Sequence, residues 1–208
     1  MALRIKSQWF QTGAPKTALQ TGSAMAFIIW RVTQNMLKQM REAKFDIDVG
    51  PQYFAFMREV LVFLIQVVDR SAHERMTPEL RIDFTTAMVR RVAEILEESE
   101  LEWLAAPGQG EESRRNQFID LCNEQADAYA EFGHGSDGPD FAFVRYLGSR
   151  IEAVLPEKDR HWIKDQMMAY EVPEALEMVG RGLDGVLSTE ARPKRRASMA
   201  GDCEESAG

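Results

Sequence analysis

The side chains equipped for chemistry in this chain are three histidines, two cysteines and a polar stripe along one very apolar segment. His134 stands in the loop Gly133-His134-Gly135-Ser136-Asp137-Gly138-Pro139-Asp140, with Asp137 and Asp140 close behind it. An imidazole and two carboxylates are metal ligands wherever the backbone brings them to one point. The same loop spells G-x-G-x-x-G, but the dinucleotide fingerprint needs a strand before it and a helix after it. Here a helical pattern precedes the loop. Asp137 or Asp140 is also placed to cap the following helix, occupying the N–H groups a phosphate would need. The plain expectation is a capped polar turn, and the sharper one is a ligand-binding loop.

The segment 51–73 carries Gln52, Glu59, Gln66, Arg70 and His73, at spacings that fall along one side of a helix. Such a stripe either faces solvent or forms a polar seam inside a bundle. With Glu59 and His73 in it, the stripe is the second place to look for a metal or small ligand. Di-iron bundles, however, use paired Glu-x-x-His motifs on facing helices, and this chain has no such pair and no H-E-x-x-H. No cofactor is therefore expected. Arg31, Lys38 and Arg41 share a face of the first helix, a candidate contact for an acidic partner, an anionic lipid surface or nucleic acid. In the tail, Arg195-Arg196-Ala197-Ser198 has the form favoured by basophilic kinases, although a match this short arises readily by chance.

The background to these residues is acidic. Net charge is −8 with a pI near 5.1, which argues against a general nucleic-acid binder. Charge is unevenly spread, with a basic excess up to Lys44 and mostly acids between Glu94 and Asp140. Cys122 in a helical pattern and Cys203 in the tail make a poor structural pair, which points to a reducing compartment. The amino terminus lacks the apolar core of a secretory signal. The apolar stretch around Val60–Val68 is interrupted by Gln66 and falls short of the ~20 residues of a membrane span. The expectation is a cytoplasmic protein without an integral membrane segment.

Apolar periodicity predicts an all-α fold of about seven helices. Residues 1–22 read as an arm, with Trp9 and Phe10 as possible pins. A first helix capped by Ser23 spans about 24–44, and a second, apolar around most of its circumference, spans 51–73. Thr77-Pro78-Glu79 starts a third, running to about 104. The segment 105–110 reads as an internal linker. Further helices follow at about 111–132, 140–155 and 157–170. The last of these is expected to carry Trp162, Ile163, Met167 and Tyr170 on its apolar face. Pro173 opens a short seventh, and 188–208 read as a disordered charged tail. The helical domain is thus 23–187.

In size, acidity and helical content the chain resembles the cytoplasmic helical chaperones that mature redox enzymes, without their signature motifs. Tetracycline-repressor-like regulators share the length, but they begin with a basic helix-turn-helix that the arm and apolar first helix do not supply. The resemblance is one of architecture, which does not fix activity. The leading expectation is a non-enzymatic protein-binding bundle: an adaptor, assembly factor or chaperone-like protein, with a homodimer among its expected states. The alternatives are a metal- or small-ligand-binding bundle, enzymatic or not, using the stripe and the loop, and weak nucleic-acid or anionic-membrane contact through the basic face.

Overall fold

The computed structural model describes residues 16–104 and 112–188. The expectations for Trp9, Phe10, the 105–110 linker, Ser198, Cys203 and the tail beyond Ser188 lie outside the described residues. Within them the protein is all-α. The helices are α1 (Ala18–Glu42), α2 (Pro51–His73), α3 (Pro78–Trp103), α4 (Arg114–Ala130), α5 (Phe141–Val154), α6 (Arg160–Gln166) and α7 (Val172–Leu187). Two short β segments, β1 (His134–Gly135) and β2 (Gly138–Pro139), pair antiparallel between α4 and α5, a minimal hairpin that the sequence did not announce.

Helix starts follow local chemistry. Thr77, Ser113 and Asp140 each accept a hydrogen bond from a backbone N–H in the first turn of the helix they precede. The first helix corrects the sequence expectation. Its cap is Thr17, in a reciprocal box with Gln20, and Ser23 lies inside the helix. The helix runs through Gly22 because α3 passes so close there. A Cβ at this position would lie 2.6 Å from the Phe84 carbonyl oxygen and 2.8 Å from Ala87 Cβ. Glycine's weak helix propensity is outweighed by the close packing it permits.

The last rod holds the second correction. Pro173 does not separate two helices: α6 continues through a π turn, Met167–Glu171, directly into α7. Proline lacks a donor, and its ring collides with the preceding turn of a regular helix. The π turn accommodates both, with the Val172 N–H reaching the Met167 carbonyl five residues back. The extra residue also shifts the phase of the buried stripe, which runs Ile163, Met167, Val172, Ala175, Val179, Leu183 and Val186. Tyr170 is thereby turned outward, and Trp162 stands beside the stripe instead of in it. Both were expected inside, yet they are 68% and 70% exposed.

The long helices alternate in direction. α3 runs parallel to α1, placing Gly22 against Phe84 and Arg91 over the Phe27 ring. α2 runs antiparallel to both. α2 is the axis of the core, with Phe56 and the run from Val60 to Ile65 essentially inaccessible. By length and composition this 23-residue helix is long and apolar enough to cross a membrane, contrary to the sequence expectation. Its most apolar stretch is 67% buried inside the bundle, as a core helix should be.

Candidate functional site

The stripe on α2 is a polar seam that ties the central helix to its neighbours. Gln52 donates to the Val154 carbonyl at the end of α5. Glu59 is buried and accepts three hydrogen bonds, from Arg150 Nε at 3.0 Å, Arg150 Nη2 at 2.7 Å and Gln125 Nε2 at 3.0 Å. Arg70 donates to the Tyr129 and Phe132 carbonyls, at 2.7 and 2.8 Å, satisfying the open end of α4. Its guanidinium also lies over the Phe143 ring. Gln66 is half-buried, and His73 is exposed with its Nδ1 against Arg81. Glu59 and His73 therefore address different helices and do not converge.

Two features of this seam were not read from the sequence. Arg58, the residue beside Glu59, forms the mirror pair on the other side of α2. It donates twice to Glu100 at 2.9 Å, and Glu100 also lies 3.8 Å from Arg114. Adjacent opposite charges on one apolar helix were the available signal. The other feature is a group of unsatisfied polar atoms next to Glu59, comprising Gln125 Oε1 and Tyr129 Oη. Burial and the neighbouring Glu59 charge push the Tyr129 phenol far above its usual range. A third buried acid, Glu171, sits in the π turn and accepts from Gln166, with burial raising its carboxyl above the ordinary value.

The glycine-rich loop is the β1–β2 hairpin, with Gly138 at φ +103° closing the turn. Asp140 is fully used. It accepts from the Phe143 N–H at 2.7 Å and from the Gly133 N–H at 2.9 Å, and the first of these bonds leads in lowering its pKa. Asp137 is exposed at the turn, touched by Ser136. His134 packs against Phe143, with Nε2 3.5 Å from Ser71 Oγ. Burial, then the Arg70 charge, lowers its pKa and favours the neutral ring. The loop docks onto α2, and its three candidate side chains do not meet at one point. Among the described residues no three His, Cys, Asp or Glu side chains are grouped as metal ligands. Cys122 is buried, its thiol pushed up to about 12.

On the basic face of α1, Arg41 alone is engaged by other parts of the described fold. Lys38 pairs with Glu42 at 3.6 Å, and Arg41 donates from Nε to the Ile47 carbonyl at 2.7 Å while lying over the Tyr53 ring. Arg31 is exposed.

The open surface lies elsewhere, at the end of the bundle where α1 and α3 finish and α2 begins. Residues of the connection 43–50 line two clefts there. One, of about 200 Å³, is walled by Trp30, Val49, Tyr53, Phe54 and Trp103, with Gln34, Arg41, Ser99 and Glu102 around them. The other, of about 260 Å³, lies between Ala43, Lys44 and Phe45 on one side and Asp159, Trp162 and Gln166 on the other. All three tryptophans among the described residues line one of these clefts. Trp103 and Trp162 are 61% and 70% exposed. The sequence reading missed this surface because periodicity assigned Trp162 to the core and left Trp103 as a helix end.

What fold and site define is a class only: an all-α bundle with a paired polar interior and an aromatic end. No family model matches the chain, and neither a curated protein nor a solved structure shows significant similarity to it.

Proposed function

We propose that the chain is a non-enzymatic protein-binding bundle, an adaptor, assembly factor or chaperone-like protein, that docks a partner across its aromatic end. The observation that carries this reading is the pair of exposed tryptophans, Trp103 and Trp162, on clefts that residues of one short connection help to line. Large aromatic side chains favour burial, and tryptophan is enriched where interfaces concentrate their energy. Cleft volumes of about 200 and 260 Å³ are below the roughly 300–1,000 Å³ typical of small-molecule sites, and suit single side chains of a protein partner.

The connection itself supports the reading. α1 ends in a Schellman motif, with the Phe45 N–H on the Met40 carbonyl and the Lys44 N–H on the Arg41 carbonyl. The left-handed position is held by Lys44 at φ +70°, where glycine would be unstrained. Lys44 lines the second cleft, and backbone strain of this kind gathers at working sites. The reading goes with a cytoplasmic, water-soluble protein in which α2 is a core helix.

Photo-crosslinking in the native cell tests it. A photoreactive phenylalanine analogue placed at Trp103 or Trp162 should capture discrete adducts that are absent when it is placed at exposed Gly180 on α7. An adduct of twice the chain mass would identify the partner as a second copy. Equal capture at all three positions, or none, would sink the proposal.

A further inference from the structure

We infer that the first cleft receives a basic side chain, arginine or lysine, from the partner polypeptide. The inference rests on the docking reading above and names its chemistry.

Three observations converge. Three aromatic residues line it, Trp30, Tyr53 and Trp103, and aromatic rings attract cations. The chain's own Arg41 already lies 5.2 Å from the Tyr53 centroid, whereas no described cation stacks on Trp30 or Trp103. The lining holds one carboxylate, Glu102. Glu98 stands one turn behind it on α3, and Asp48 precedes the lining Val49. Asp48 faces the Lys158 ammonium, but neither Glu98 nor Glu102 has an ion-pair partner among the described residues, whereas Glu42, Asp46, Glu94 and Glu100 at the same end or along the same helix do. Finally, α1 and α3 both end here, and the carbonyl ends of helices favour positive charge.

Arg41 does not satisfy this demand. Its Nε is committed to the Ile47 carbonyl and its plane to Tyr53, so it forms one wall of the slot and leaves the Trp103 side open. Glu102 is thereby left in the cleft lining without a cation against it.

The test uses the full chain with ¹⁵N-labelled tryptophan, whose four indole N–H groups report separately. Two capped tetrapeptides serve as probes, Gly-Arg-Arg-Gly and its uncharged twin Gly-Gln-Gln-Gly. The arginine peptide should move the Trp30 and Trp103 signals and leave Trp162 in place, with a response that weakens as salt is added. Glu102→Gln should weaken the response several-fold while leaving the unbound spectrum folded and otherwise unchanged. An equal response to both peptides would overturn the basic-side-chain assignment and leave the docking reading standing. The same holds if neither peptide moves Trp30 or Trp103 while crosslinking at Trp103 still captures a partner. Loss of crosslinking together with silent indoles would remove both.

Discussion

Replacing Arg150 with methionine should destabilise the protein far more than replacing Glu59 with glutamine, although each change breaks the same ion pair. The asymmetry follows from where the two partners sit. The Glu59 side chain is 7% exposed and that of Arg150 is 37% exposed. In Arg150→Met, Glu59 keeps its charge inside the bundle with only Gln125 left as a donor. Stranding a buried charge costs about 3–5 kcal/mol. In Glu59→Gln, the guanidinium of Arg150 turns toward solvent. The new amide N–H₂ also finds an acceptor, because Gln125 Oε1 is unpartnered in the native protein. The remaining loss is that of a charge-assisted hydrogen bond, about 1–2 kcal/mol. Urea unfolding followed by circular dichroism measures both, with equal urea slopes required for the comparison. For a chain of this size the larger cost corresponds to a fall in Tm of about 6–20 °C. Equal destabilisation by the two variants would refute the reasoning, as would an Arg150→Met within about 1 kcal/mol of the parent.

Three backbone substitutions have equally definite outcomes. Gly22→Ala should destabilise by roughly 1–3 kcal/mol, since the added methyl meets α3 backbone at 2.6 Å, whereas Gly180→Ala, with nothing within 4 Å, should stabilise by up to about 1 kcal/mol. Thermal unfolding of the two side by side checks the sign of each. Lys44→Gly should stabilise by about 1 kcal/mol through relief of the left-handed strain, while lowering partner capture at the Trp162 position if the lysine serves the second cleft.

Much of the site was half legible. Glu59, Gln52 and Arg70 were marked as one stripe by their spacing on an apolar helix. That stripe is the seam, but the partners that explain it, Arg150, Gln125 and the end of α4, lie far along the chain. Spacing shows which residues share a face and says nothing about what that face meets. A cap from Asp137 or Asp140 was legible because capping is local chemistry within three residues, and the structure uses Asp140. Tyr170 departs from the helical period because the backbone takes a π turn at Met167–Glu171, and Trp162 stands out because the buried stripe passes through its neighbour Ile163.

The all-α class, the apolar α2 as centre, the cap at Thr77, a cap from Asp137 or Asp140 and most of the buried faces follow from neighbours within one or two turns along the chain. Packing of the helices against one another set Gly22 of α1 against α3, joined α6 and α7 into one rod and brought two Arg–Glu pairs to grip α2 from both sides. It also gathered Trp30, Trp103 and Trp162 from three distant helices at one end of the bundle. Those outcomes depend on which helix packs beside which, and no periodicity within a single helix encodes its neighbour.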